Sequence, residues 1–170
     1  MTNKTHINMR GLRVYQNHVA FWGSPFSNFH RCKFVYQDVT WKSSEQCFMA
    51  MKANHFNDEA SYELILASKT PREAQALGRE VRNFDISWAV DSKLIMFDVV
   101  LAKFSQNENL KSLILSDEFK GKKFVEGSPK DTKWGVGIHY TDPAIDDESN
   151  WKGSNLLGQV LDEVREQLSK

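Results

Sequence analysis

The chain has 170 residues, enough for one domain with a substantial core. Hydrophobic residues make up 41% and charged residues 26%, an ordinary globular balance, and 22 basic side chains are matched by 22 acidic ones. That balance excludes the strongly basic class of sequence-independent polyanion binders, while leaving room for a local basic pocket that takes one or two phosphates. Two cysteines, Cys32 and Cys47, allow at most one bridge, which excludes a secreted disulfide scaffold. Cys47 lies among Phe48, Met49 and Met51 and reads as a buried, inert thiol rather than a nucleophile. No run approaches the roughly 18 apolar residues that span a bilayer. The opening MTNKTHINMR has no apolar core followed by a cleavage site, so a cytoplasmic location is expected. Repeats, linkers and low-complexity runs are absent from the pattern, and residues 1–170 are expected to form a single domain.

In chain order, Val19–Trp22 reads as a strand. Lys33–Tyr36 and Val39–Trp41 read as a hairpin turning at Gln37 and Asp38. Ser43 followed by Gln46 forms a capping-box pattern that opens a helix to about Ala53. A second helix is expected over Asp58–Ser68, with Tyr62, Ile65 and Leu66 as its apolar face. Thr70-Pro71-Arg72-Glu73 supplies an N-cap, a proline at the first helical position and a box-closing glutamate, with Gly78 at the far end. The longest helix is expected from about Ser87 to Phe104. Val90, Leu94, Phe97, Leu101 and Phe104 recur there at spacings of four and three, which predicts a buried stripe. Leu110, Leu113 and Ile114 make a short helix, Phe124–Glu126 a brief strand, and a long loop carries Trp134 to Gly153. The last helix is expected from about Leu156 to Leu168, with Leu157, Val160, Leu161 and Val164 inward. The fold class is α+β, mainly helical, with a small sheet.

Three clusters combine chemistry-bearing side chains with turn residues. The first is Gly23-Ser24-Pro25-Phe26-Ser27-Asn28-Phe29, whose phenylalanines can either plug a core or stack on a planar ring. The second is Ser43-Ser44-Glu45-Gln46 with Lys52, which puts Glu45 and Lys52 on one helix face, two turns apart. Glu45 there is either a functional carboxylate or an ordinary first-turn acid favoured by the helix dipole, and Lys52 a functional cation or a surface charge. The third runs from Phe124 to Gly135, with Glu126 and Asp131 five residues apart and Trp134 close behind. Gly153-Ser154-Asn155-Leu156-Leu157-Gly158 then starts the last helix, a place where phosphates can collect on free amides.

These residue types suit cleavage of a bond between sugar C1 and nitrogen. Positive charge builds on the ring as the bond breaks, and a nearby carboxylate stabilises it. A second carboxylate can take a proton from water or help the leaving group. Asparagine can hold hydroxyls, lysine a phosphate, and an aromatic ring a base.

The ordered set Phe26-Ser27-Asn28-Phe29, Trp41-Lys42-Ser43-Ser44-Glu45 with Lys52, and Ala67-Ser68 with Pro71, Ala74 and Leu77-Gly78-Arg79 resembles the NADAR family, whose members include YbiA-like N-glycosidases. Ala102-Lys103-Phe104, Val125-Glu126, Asp131, Trp134-Gly135 and Asn155-Leu156-Leu157-Gly158 extend the resemblance over roughly residues 18–168. It implies a compact, mainly helical α+β fold and hydrolysis of N-glycosidic bonds without a required metal or cofactor. The implied substrates are ribosylamino-pyrimidine phosphates early in riboflavin biosynthesis, or ADP-ribose on guanine in nucleic acid. No membrane and no protein partner is implied. A non-catalytic ADP-ribose or nucleotide reader is the alternative.

Carried over by position, Glu45 is the carboxylate facing the scissile sugar. Glu126 and Asp131 are alternatives or partners as general acid/base. Lys52 meets a phosphate or the developing leaving-group charge. Ser27, Asn28, Gly135, Asn155 and Gly158 line the substrate site, the two asparagines holding ribose hydroxyls or pocket backbone. Phe29 and Trp134 flank the base, and Trp88, a family position at the start of the long helix, reads as a core aromatic. The chain departs from the pattern at Gln46, where many relatives have histidine, and at Gln37-Asp38, where Asp-Gly is more usual. Val136 to Ser154 is longer than in compact relatives and carries Asp142, Asp146, Asp147 and Glu148. This stretch is expected either to repel a polyanionic strand or to be a solvated surface loop.

Overall fold

The computed structural model describes residues 7–170, so most of the polar N-terminal stretch read above lies outside the described residues. Among the described residues, five strands and six α-helices follow one another: β1 (Leu12–Val14), β2 (His18–Phe21), β3 (Phe34–Tyr36), β4 (Val39–Trp41), α1 (Ser44–His55), α2 (Glu59–Ala67), α3 (Pro71–Arg79), α4 (Ser87–Gln106), α5 (Glu108–Ile114), β5 (Lys123–Glu126) and α6 (Leu156–Leu168). The chain divides into two compact units. One joins the stretch ending at Ser27 to Ser112–Lys170, and the other is Asn28–Lys111.

In the first unit β2 is central. It pairs antiparallel with β1, Leu12 opposite Phe21, and parallel with β5, His18 opposite Lys123 and Phe21 opposite Glu126. β1 has no counterpart in the sequence reading, because three residues with Arg13 at the centre carry too little apolar pattern. α6 packs on β5, and its expected inward residues Leu157, Val160, Leu161 and Val164 are all buried. Gly158 allows this approach: a Cβ there would lie 2.2 Å from the Phe124 carbonyl oxygen. Phe26 is fully buried, its ring centroid 4.8 Å from Phe124 and 5.9 Å from Phe119.

The stretch from Val136 to Ser154 is not a solvated loop. Val136, Ile138 and Ile145 are buried with Ala20 and Val125, and Trp151 donates its indole N–H to the Ile145 carbonyl at 2.8 Å. Single 3₁₀ turns at Pro143–Asp146 and Glu148–Asn150 are capped by Asp142 and Asp147. Asp146 and Glu148 face the two ring nitrogens of buried His18 at 3.0 and 3.3 Å, and Glu148 also meets Lys123 at 3.2 Å. Asp142 and Asp147 therefore serve as caps, and Asp146 and Glu148 as partners of His18 and Lys123.

In the second unit, β3 and β4 form the expected hairpin, Phe34 opposite Trp41. Gln37 and Asp38 occupy the left-handed region at φ 51° and 60°, the geometry of a two-residue hairpin turn, without the glycine that usually relieves it. Ser43 caps α1 by accepting from the Gln46 amide at 3.1 Å, and Thr70 caps α3 by accepting from the Glu73 amide. Both boxes close one residue early, Gln46 on the Lys42 amide and Glu73 on the Lys69 amide. Asp58 caps α2 and also receives the Arg82 amide and guanidinium. These bonds hold its carboxyl far below the usual carboxylate range.

Two apolar faces differ from expectation. On α2 only Ile65 is buried, with Tyr62 and Leu66 half-buried. On α4 the buried face is Trp88, Ser92, Met96, Val99, Val100, Lys103 and Phe104, while Val90 and Leu94 are 75% and 70% exposed. Trp88 is a core aromatic, its ring 5.2 Å from Phe48 and 5.4 Å from His55.

Candidate active site

α1 is buried on nearly every side, and the polar residues of its first turn, Ser44, Glu45 and Gln46, are buried with it. Glu45 is 7% exposed. A first-turn acid held only by the helix dipole would face water, and this one does not. Asn28 fixes the turn that carries it. The Asn28 carbonyl accepts the Glu45 backbone N–H at 3.0 Å, and Asn28 Oδ1 accepts the Ser44 hydroxyl at 2.9 Å. Asn28 Nδ2 points at Met96 Sδ on α4, 3.5 Å away. Phe29, the next residue, is 39% exposed. The two phenylalanines of the first cluster therefore divide the readings left open for them: Phe26 plugs a core, and Phe29 presents ring surface. Ser27, between them, is buried, its amide bonded to the Ser24 carbonyl at 2.9 Å.

Lys52 lies seven residues from Glu45, about 10 Å along the helix axis. Its ammonium donates to the Gly78 carbonyl at 2.8 Å and sits 5.2 Å from the Phe84 ring centroid. Gln46 is buried and makes bonds in two directions. Its Oε1 accepts the Lys42 amide, and its Nε2 donates to the Ile65 and Leu66 carbonyls at 3.2 and 3.1 Å. A histidine ring cannot reproduce an acceptor and a two-hydrogen donor on one planar amide. The departure at Gln46 thus comes with its own structural use.

In the first unit, Glu126 ends β5 and is half-buried. Asn155 clamps this end of the strand: Oδ1 accepts the Glu126 amide and Nδ2 donates to the Phe124 carbonyl, both at 3.0 Å. Asn155 is left-handed at φ 53° and cannot cap α6 with a side chain already engaged on β5. The Asn155 side chain holds the backbone of β5, whereas the Asn28 side chain accepts the Ser44 hydroxyl and its main-chain carbonyl takes the Glu45 N–H.

Asp131 Oδ1 accepts the Lys133 and Trp134 amides at 2.9 and 2.8 Å, which shapes the turn that presents half-buried Trp134. Gly135 is buried, and a Cβ there would sit 3.0 Å from the carbonyl oxygens of Glu126 and Asp131. At the start of α6 three of the amides that a phosphate would use are already engaged. The Asn155, Leu156 and Leu157 N–H groups bond to the carbonyls of Gly135, Lys133 and Trp134. Gly158 likewise accommodates close packing of α6 on β5.

Burial pushes the Cys47 thiol far above its ordinary range, which fits an inert core residue. In the sequence Lys103 stands out only within the Ala102-Lys103-Phe104 match. It is fully buried on α4, and burial holds its ammonium down to about 8. Among the described residues, no group of three or more His, Cys, Asp or Glu is arranged to hold a metal ion, and no helix is long and apolar enough to cross a membrane.

The family model described as the NADAR domain matches residues 16–169. Protein irg-1 of Caenorhabditis elegans is 41% identical over 128 residues, 74% of this chain, and the chain spans only 59% of that protein's length. N-glycosidase R617 of Acanthamoeba polyphaga mimivirus is 37% identical over 126 residues, covering 74% of this chain and 73% of that one. The NMR structure of the Escherichia coli protein YbiA superimposes with a TM-score of 0.74 at 29% identity, over 94% of this chain and 89% of the other. That likeness carries the mainly helical α+β architecture. A match over nearly the whole length, with these relatives, means that the chain belongs to the NADAR domain family.

Proposed function

We propose that this chain is an N-glycosidase that hydrolyses the bond between a ribosyl C1 and nitrogen in a phosphate-bearing, nucleotide-like substrate. The observation that carries the reading is Glu45, a carboxylate taken out of solvent on a helix turn tied down by Asn28. A charge placed in advance, in a poorly solvated setting, stabilises a developing cation without reorganising as the reaction proceeds. The name of R617 as an N-glycosidase supports the same reaction class.

In this mechanism the C1–N bond breaks, its electron pair leaves with nitrogen, and the sugar carries oxocarbenium character. Glu45 faces that charge. Water then adds to C1 and gives up a proton, while the leaving nitrogen takes one. We assign the proton transfers to Glu126. Asp131 is the weaker alternative, because one of its oxygens already serves the Lys133 and Trp134 amides. Lys52 meets phosphate or leaving-group charge, and Phe29 and Trp134 provide stacking surfaces for the base. Asn28 and Asn155 act as positioning residues for Glu45 and Glu126.

The substrate is assigned to one of two kinds that the family resemblance implies, a ribosylamino-pyrimidine phosphate or ADP-ribose joined to guanine. A paired assay separates them. Release of ribose 5-phosphate from the first is expected for a metabolite-clearing enzyme, and release of ADP-ribose from a modified single strand for a base-repair enzyme. Binding of either compound with no product after prolonged incubation would replace the hydrolase with a non-catalytic reader.

A further inference from the structure

A second candidate site lies within the Asn28–Lys111 unit, on about the opposite face of α1 from Glu45. At 100° per residue, Ser43 and Gln46 point one way from the helix start while Ser44 and Glu45 point the other. Ser43 and Gln46 form one wall of a cavity of about 300 Å³, at the small end of the range for ligand sites. Its rim carries Arg31, Lys33, Lys42 and Lys69, and no Asp or Glu is among its lining residues. The protein as a whole has no net charge, so four cations around one cavity are a local concentration.

The local fold explains how they converge. The Cys32 amide donates to the Lys42 carbonyl at 3.0 Å, joining the two ends of the β3–β4 hairpin and bringing Arg31, Lys33 and Lys42 to its base. Gln46 bonds the Lys42 amide on one side and the Ile65 and Leu66 carbonyls on the other. That ties the hairpin base to the α2–α3 corner, where Lys69 sits. All four side chains are exposed, and among the described residues none forms an ion pair or a side-chain hydrogen bond. Glu73, four residues beyond Lys69, is engaged on the Lys69 amide at 2.9 Å. Like charges gathered without counter-charges repel one another, and a bound polyanion relieves that repulsion.

We propose that this cavity binds a diphosphate-sized polyanion, with Arg31, Lys33, Lys42 and Lys69 as its ligands, separately from the carboxylates that act on the glycosidic bond. Two sources present that chemistry: a free diphosphate group, and two successive phosphodiesters of a single strand.

The test is direct binding at low and moderate salt, using inorganic pyrophosphate in one arm and unmodified oligothymidylate in the other. The native protein is compared with a Lys33→Gln/Lys42→Gln/Lys69→Gln variant, whose exposed positions leave the fold intact by thermal melting. At least a tenfold loss of affinity in the variant is expected, with a shallower salt dependence by about one unit of slope per lost phosphate contact. Loss confined to pyrophosphate identifies a free diphosphate, and loss for oligothymidylate identifies a strand. Equal binding by variant and native protein, or no binding of either probe at low salt, overturns the proposal. Neither arm requires turnover, so an inactive protein that shows the expected loss would remove the hydrolase reading and leave this site standing.

Discussion

An asparagine amide offers one acceptor and two donors, and the two buried asparagines among the described residues, Asn28 and Asn155, each lie beside a carboxylate-bearing residue. Asn28 fixes the turn of Glu45, and Asn155 bridges the Glu126 amide and the Phe124 carbonyl. Replacing Asn155 with alanine leaves that amide and carbonyl without partners in a largely buried setting, which costs about 1–3 kcal/mol. The expected result is a lowered denaturation midpoint, together with a fall in kcat that exceeds any change in KM. An Asn155→Ala protein with native stability and rate would show that the clamp matters to neither. The identities of these residues are legible in the sequence, and the hold of Asn155 on backbone is one of the two readings it leaves open. Nothing in one sequence tells a side chain that holds ribose from one that holds β5. Lys103 was noted without a role, since a lysine on a predicted helix looks solvated until the packing around it is known.

At the scale of elements, local signals translated well and tertiary choices did not. Ser43 and Thr70 cap the helices they were expected to cap, the Gln37-Asp38 hairpin forms, and α6 buries the four residues its periodicity selects. Each of these depends on neighbours a few positions away. The buried face of α4 depends instead on what packs against it. Hydrophobicity selects Val90 and Leu94, whereas the fold buries Ser92 and Lys103 and leaves those two aliphatic residues largely exposed. The 136–154 segment misled in the opposite direction, its acids suggesting solvent while Val136, Ile138 and Ile145 close a core. The contact of α6 with β5 gives a sharp prediction. In a Gly158→Ala variant the new methyl would meet the Phe124 carbonyl and the Asn155 amide at 2.2–2.4 Å. Overpacking of this kind costs about 1–3 kcal/mol. A parallel loss of turnover is expected, because the displaced amide is the one that holds Glu126. Native stability in this variant would mean that the helix and strand can separate freely.

For the whole molecule, stability carries the signature of one buried cation. Burial lowers Lys103 from 10.5 to about 8. Between those values the unfolded chain binds a proton that the folded chain does not, so the Lys103 contribution makes stability rise with pH across that window. Below about 8 the penalty for burying the charge is fully present, and the whole shift corresponds to about 3 kcal/mol. Denaturant melts from pH 7.5 to 10.5 should show the native protein gaining stability relative to a Lys103→Met variant. Parallel curves would mean that this ammonium titrates as it does in water. The central claim concerns Glu45, and the most direct test is single-turnover hydrolysis by a Glu45→Gln protein on whichever substrate the native enzyme cleaves. Removing the carboxylate's charge while keeping its shape is expected to lower the chemical rate by about 10²–10³-fold, the range seen on removal of one preorganised electrostatic group. The melting midpoint and substrate affinity should stay close to native. A variant that folds, binds and cleaves at the native rate would contradict the assignment of Glu45 to the scissile sugar.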